Sequence, residues 1–533
     1  MQYDYIIIGA GSSGSVIANR LSEDKGCKVL LLEAGSKPNA ISKMPGGYVL
    51  LHRSKMDWAF WTEPQVNVNN RKLFVPRGKV LGGCSTTNAM AYVRGNAANY
   101  DAWAAAGNEG WSYNEVLPYF KKSEQHAVYE NEFHQKGGLL HVSFAQHPSP
   151  LTKVFIEACE EKGIPFNEDY NGAHQEGASM LQFTIKNNKR FSTAEAFLRP
   201  AIKRTNLTIR TNVLVKQVIV EHDTAIGVEL YTGARSTEKI FCAKEVIVSA
   251  GAIKSPQLLM LSGIGDKNEL SPFDIACKIE LQGVGKNLQD HVCTGTNALS
   301  SVPTANSAIK PAGMLKAFAQ YLVLNKGPFT NSPIEANAFI KTNENRSIPD
   351  IQFHFAPVYT GNDYKTDIHN LKTYPLTNGF SIVCILLNPE SSGYVALKSA
   401  DASDAPVIQP NFFQSLDDKE ILLKGLKKAM EVIDAGAFRP YSPKGLHHPV
   451  RNATDDELAE HLCKSLETLY HPVGTCQMGS GSMAVVNERL QVWGIRNLRV
   501  ADASIMPNII SGNTNAACIM IGEKAADMIK ENF

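Results

Sequence analysis

Short apolar runs followed by glycine recur at the start, middle and end of the chain. Asp4 to Ile8 suits a buried parallel strand. A glycine-rich turn follows, then a predicted helix from about Ser13 to Leu21. Lys28 to Leu32 reads as a second strand that ends at Glu33, completing a βαβ unit. Lys244 to Ser249 repeats the strand character and leads through Gly251 to a predicted helix over Ser255 to Leu261. Asn497 to Ala501 does so again before Asp502, and Asn515 to Ile529 has helical composition. One body assembled from separated segments explains this recurrence better than a row of sequential domains.

Between about 300 and 465 the pattern changes. Gln352 to Phe355, Ser381 to Leu387 and Tyr394 to Lys398 alternate partially, as strands with one covered face do. A charged helical stretch spans about Asp417 to Ala435. The expected architecture is α/β: a Rossmann-like body from residues 1–150, 200–298 and 466–533, and an α+β body with an antiparallel sheet from 151–199 and 299–465. No repeat or low-complexity tract interrupts this pattern.

A length of 533 residues calls for about two domains. Lys and Arg total 53 against 52 Asp and Glu, a net charge of +1 that offers nucleic acid no broad attractive field. The 10 cysteines are scattered without a CxxC pair, so reduced thiols are expected and no metal site. Met1-Gln2-Tyr3-Asp4-Tyr5 leads straight into a strand, without a basic and then apolar leader. No run reaches the roughly 18 apolar residues of a spanning helix. Together these features predict a cytoplasmic protein.

Gly9-Ala10-Gly11-Ser12-Ser13-Gly14 is a G-x-G-x-x-G element in its required setting, after a strand and before a helix. Gly9 permits the tight turn, Gly11 lets the backbone approach a pyrophosphate, and Gly14 allows close helix–strand packing. Glu33 stands where a carboxylate accepts ribose hydroxyl hydrogen bonds, and disfavours a 2′-phosphate. The motif alone leaves FAD and NAD both open. Pro76 to Met90 packs glycines and small polar residues into a segment that can lie flat against a cofactor.

Several ordered motifs resemble the glucose–methanol–choline family of FAD-dependent oxidoreductases. They are Gly78 to Asn88, Gly251 to Gly265, Val284 to His291, His471 to Gly479, and Val500 to Pro507 continuing through Ser511 to Asn515. Within the family the chain is most similar to bacterial choline-dehydrogenase-like and acceptor-linked alkanol dehydrogenases. The resemblance implies bound FAD, with Gly9, Gly11, Gly14 and Glu33 at its ADP portion and the backbone of Val215 at the adenine. It also implies that Gly83, Asn88, Ala89 and Met90 lie beside the flavin ring. Asp502, Ala503, Thr514 and Asn515 fall at the pyrophosphate and ribityl region. His471 and Asn513 match the catalytic pair. Thr87 stands where some relatives attach flavin to a histidine, so the FAD is expected to be non-covalent. Asn487 stands where an Asp is common.

Those residues suit oxidation of a primary alcohol to an aldehyde. An alkoxide loses hydride more readily than an alcohol does, and a neutral imidazole with an ordinary pKa of about 6.5 can take the hydroxyl proton. His471 is assigned that role, and Asn513 holds the substrate oxygen. The helix starting near Asn515 would favour the negative charge of reduced flavin. His354, in an apolar strand, is a candidate for the substrate cavity, whereas His447 and His448 read as surface loop. His291 is a further histidine without an assigned role. Ala312 to Leu324 is either core or an apolar patch resting on the inner face of the cytoplasmic membrane, from which a quinone could be reached. The electron acceptor is then a quinone or oxygen, the latter making an oxidase that releases hydrogen peroxide. A flavin-binding lyase, a flavin photoenzyme and an NAD-dependent dehydrogenase are the remaining readings.

Overall fold

The computed structural model describes residues 3–233 and 236–531. Strands Leu207–Arg210, Val29–Leu32, Tyr3–Ile8, Thr237–Val248 and Leu498–Val500 lie side by side in that order, every pair parallel. Val29–Leu32 is wholly buried, as an all-apolar strand covered on both faces must be. Thr237–Val248 is longer than the apolar run Lys244 to Ser249 suggested. Its last four residues are buried in the parallel sheet, while its exposed-and-buried first half pairs antiparallel with Thr224–Tyr231, which in turn pairs with Val215–Glu221.

Helices Ser12–Leu21 and Asn515–Lys530 pack together on this sheet although they open and close the chain. Ser13 Oγ donates to the Cys518 carbonyl at 2.7 Å, and a Cβ on Gly522 would stand 2.8 Å from the Ser13 carbonyl oxygen. Helix Gly251–Leu261 begins four residues before the expected Ser255. The cause is tertiary: Asp502 accepts the Gly251 N–H at 2.8 Å and so caps a helix start that has no local capping side chain.

The second sheet is antiparallel, in the order Leu446–His448, Val292–Leu299, Gly379–Leu386, Ile351–Ala356, Ala336–Ile340 and Gly177–Met180, with Glu467–Thr468 pairing onto Val292–Leu299. Glu467–Thr468 and all of Val292–Leu299 but its last residue lie in the segments expected for the first body. Helices Leu416–Ile433, Pro150–Glu161 and Asp455–Ser465 cover one face. Gly425 allows the close approach, since a Cβ there would meet Cys384 Sγ at 2.7 Å. Alternation decides what each face does: Ile351, Phe353 and Phe355 join the helix-side core, while His354 and Ala356 point into a cavity.

Two expectations need correcting. Tyr394–Ala396 pairs with Val407–Gln409 in a separate two-stranded ribbon, where Val395 packs on Phe60 and Ile253, rather than joining the large antiparallel sheet. His447 and His448 lie on the edge strand Leu446–His448 and not in a surface loop. His447 is fastened there by the Tyr359 hydroxyl at 2.9 Å.

Candidate active site

A cavity of about 880 Å³ lies between the two sheets. Its lining contains Gly9, Gly11, Glu33, Gly83, Asn88, Ala89, Met90, Val215, Asp502, Ala503, Thr514 and Asn515 together with His354, His471 and Asn513. Gly14 lies behind the wall, where a Cβ would meet the Gly9 carbonyl oxygen at 2.0 Å.

The cofactor half of the wall is built from backbone. Gly83 adopts φ +51° and passes so close to the first turn that a Cβ would stand 2.8 Å from Gly11 Cα. Ser12 Oγ donates to Asn515 Oδ1 at 2.6 Å, which ties the starts of the first and last helices together. Two helix N-termini therefore share this wall, an arrangement that favours a negatively charged group. Glu33 accepts the Ala10 N–H at 3.0 Å and the Gly35 N–H at 2.7 Å, and burial pushes its carboxyl up to about 7. Asp502 is fully engaged: Gly251 N–H and Ser255 Oγ reach Oδ2, and Ser504 N–H and Oγ reach Oδ1. Its carboxylate thereby joins chain segments. Asn487 caps its own turn, accepting from the backbone N–H of Arg489 and Gln491, as an Asp could.

The chemical half converges on His471. Its Nδ1 lies 3.0 Å from His291 Nδ1, and His291 Nε2 lies 2.9 Å from the Leu387 carbonyl. A carbonyl only accepts, so His291 carries its proton on Nε2 and its Nδ1 must accept. His471 therefore carries its proton on Nδ1 and turns a bare Nε2 toward Asn513 Nδ2, 3.3 Å away. Burial, the neighbouring His291 and the charge of Arg77 hold His471 well below its ordinary pKa. Asp290 accepts the His471 backbone N–H at 2.7 Å and the Thr468 hydroxyl. His354 Nε2 and Asn513 Oδ1 are buried and meet no well-aligned hydrogen-bond partner among the described residues, although the two side chains interact with each other. Polar atoms thus converge beside His471 where a ligand can use them.

A second chain of rings flanks the first. Tyr470 donates its hydroxyl to His369 Nε2 at 2.9 Å, and His369 Nδ1 lies 2.8 Å from His52 Nδ1. Tyr470 has φ +67°, a left-handed conformation held at one end by this bond and at the other by Arg77 on its carbonyl. Sequence reasoning assigned no role to His291, although Val284 to His291 was noted as a motif, and it overlooked His369 and His52. Spacing along the chain gives no sign that these rings meet. Away from the cavity, Glu124, His126 and His134 also come together. There Glu124 is taken by Arg94 at 3.0 Å and by His134 at 3.0 Å, and His134 reaches Asp169 at 2.8 Å, which makes an ion network.

A nucleotide-type sheet at one wall and a poised imidazole at the other define a cofactor-dependent oxidoreductase. The chain belongs to the GMC oxidoreductase family: the family's N-terminal domain matches residues 3–293 and its C-terminal domain residues 389–522. It is 42% identical over 536 residues to an alcohol dehydrogenase (acceptor) of Pseudomonas putida, spanning 99% of this chain and 95% of that one. It is 39% identical over 541 residues to the mitochondrial choline dehydrogenase of Mus musculus, spanning 99% and 89%. Among solved structures it resembles a pyridoxine 4-oxidase from Mesorbium loti (TM-score 0.89, 29% identity, 99% of both chains). It also resembles a formate oxidase variant of Aspergillus oryzae (TM-score 0.91, 26% identity, 100% and 98%). The cofactor is FAD, and the close approach of Gly83 to Gly11, the paired helix starts and the buried Glu33 fit its ADP portion.

Proposed function

We propose that this flavoprotein oxidises uncharged primary alcohols to aldehydes and hands the electrons to a quinone or another acceptor other than oxygen. The observation that carries the reading is the hydrogen-bonded row from the Leu387 carbonyl through His291 and His471 to Asn513, which leaves His471 Nε2 unprotonated beside the Asn513 amide. Gly9, Gly11, Glu33, Val215 and the Asp502–Ala503 backbone would hold FAD, and Asn88, Ala89 and Met90 would flank its ring, without a covalent link through Thr87. Bound FAD supplies the two-electron acceptor for the carbinol hydrogen. His471 Nε2 accepts the hydroxyl proton, and the resulting imidazolium keeps its Nδ1–H on His291. Asn513 Nδ2 donates to the substrate oxygen as negative charge grows there. His354 Nε2 borders the same space and orients the alcohol.

We propose alkyl alcohols over a quaternary ammonium alcohol on the state of the acidic residues in the lining. Its acidic residues are Glu33, Glu335 and Asp502, and each is already occupied by protein donors. Met314, Phe329, Ile334, Leu371 and Val383 supply apolar wall. Anaerobic mixing with a medium-chain alkanol should bleach the flavin absorbance, and choline should do so far more slowly. Bleaching by choline alone would overturn the substrate class. No bleaching by any alcohol would favour the lyase reading, and stoichiometric hydrogen peroxide under air would favour an oxidase.

Peripheral membrane contact is supported by helix Pro311–Leu324, which buries Ala317 and Tyr321 but leaves Leu315, Leu322, Val323 and Leu324 between 60% and 79% exposed. Gly313, Met314 and Lys316 of this helix also line the cavity. From Ser300 to Ile334 there are three lysines, Lys310, Lys316 and Lys326, and no Asp or Glu. Apolar side chains ringed by cations suit an anionic lipid surface. None of the described helices is long and apolar enough to cross a membrane. Co-sedimentation with anionic vesicles, lost in Leu315→Glu and Leu322→Glu, is the expected result. A protein that stays in the supernatant refutes the contact.

A further inference from the structure

Among the described residues three arginines are almost completely buried: Arg94, Arg190 and Arg499. Arg94 is paired with Glu124 at 3.0 Å and Arg499 with Glu245 at 2.6 Å. Arg190 has no carboxylate partner among the described residues. Its guanidinium donates to three oxygens that carry no formal charge: Ser42 carbonyl at 2.9 Å, Ser85 carbonyl at 3.3 Å and Asn88 Oδ1 at 3.0 Å. Its Nη2 is buried without a hydrogen-bond partner among the described residues. Burial lowers its pKa to about 9, so the charge persists at neutral pH.

A buried cation without a counter-charge is costly to keep. Its placement shows what such a charge can act on. Asn88 Oδ1 takes Arg190 Nη1 and the Met90 N–H at 2.9 Å, so the carbonyl end of that amide is used up inside the wall. Asn88 Nδ2 makes no hydrogen bond among the described residues, and Asn88 lines the cavity. Beside it, His52 is bonded to the Thr87 backbone, and the charge of Arg190 adds to burial and His369 in holding this imidazole down to about 3. Through His369 and Tyr470 the same wall continues to His471. His52, His369 and Tyr470 thus link the Asn88 segment, on which Arg190 sits, to the residue next to His471.

We propose that Arg190 is the fixed counter-charge for the reduced flavin. An isoalloxazine that takes up two electrons and one proton gains one net negative charge. Arg190 meets that charge through the Asn88 amide and raises the reduction potential, touching neither substrate nor the reacting carbon. It is a positioning residue whose own ion-pair partner forms only on reduction. This inference rests on the FAD assignment and not on the alcohol reading.

The test needs no substrate. Sulfite adds its lone pair to oxidised flavin, forming a bond that leaves negative charge on the ring and bleaches its absorbance. Arg190→Gln and Arg190→Met should each raise the sulfite Kd by about 10-fold or more and lower the midpoint potential, whereas Arg190→Lys should stay within about 3-fold of the parent. A sulfite Kd and potential unchanged in Arg190→Gln would overturn the proposal, as would a Lys variant as impaired as Gln. Should Gln and Met emerge without flavin, reconstitution with excess FAD decides. Recovery only in Arg190→Lys supports the charge, and failure of all three reduces Arg190 to a tie between the Ser42 and Ser85 segments. Normal sulfite behaviour with no alcohol turnover would leave this inference standing and the alcohol reading fallen.

Discussion

His291 and His471 meet through like atoms, Nδ1 to Nδ1 at 3.0 Å, with their ring planes 84° apart. Two identical nitrogens can share a hydrogen bond only if one is protonated and the other is not. The Leu387 carbonyl at the far side of His291 decides which. If His471 is the base, as proposed, its lone pair is set before any substrate arrives, and this arrangement yields separate expectations for the two rings.

His471→Ala should slow anaerobic flavin reduction by about 10²-fold or more while the protein stays yellow. His291→Phe keeps a ring but removes the acceptor, so His471 loses its preferred tautomer. A fall of about 10-fold or more in flavin reduction with FAD content intact is expected. Parent-like stopped-flow rates in the Phe variant would show that His291 only fills space.

Asn513→Ala removes the amide beside Nε2. The expected loss is about 2–4 kcal/mol of transition-state stabilisation, read as a fall in the reduction rate rather than in flavin content. A change confined to KM would assign Asn513 to ground-state binding instead.

Gly83→Ala places a methyl 2.8 Å from Gly11 Cα on a backbone of φ +51°. It should weaken FAD binding at least about 10-fold, because neither backbone can retreat without opening the turn. Flavin content after dialysis reports this directly, and full retention would contradict the backbone cradle.

Acid should destabilise the fold. Burial holds His52 and His354 at about 3, and His126, His291, His369 and His448 at about 4, against an ordinary 6.5. Each is neutral when folded, so the unfolded chain takes up protons first as pH falls. Their stability is complete above pH 6.5 and is lost from there down toward pH 4. Glu33 and Glu467, pushed up to about 7, and Asp290, at about 6, work in the opposite sense. Burial also raises Asp57, Glu245 and Glu335 and lowers His141, His461 and His471, so the lowered imidazoles still outnumber the raised carboxyls and Tm should drop between pH 6.5 and 4. A flat or rising Tm over that window would show that the carboxyls dominate.

Local sequence determined a good part of this protein. Glycine spacing after an apolar strand specified the first turn, Glu33 marked the end of the next strand, and the run of motifs specified the family. These are short-range properties, set by φ, chain reversal and the need to bury uninterrupted apolar strands. Tertiary structure alone decided which rings touch. His291 lies 180 residues from its partner His471, and Arg190 lies 102 residues from the Asn88 amide it grips. A side chain's tautomer, its pKa and the absence of a neutralising carboxylate depend on groups brought near by packing. Sequence spacing carries no term for them.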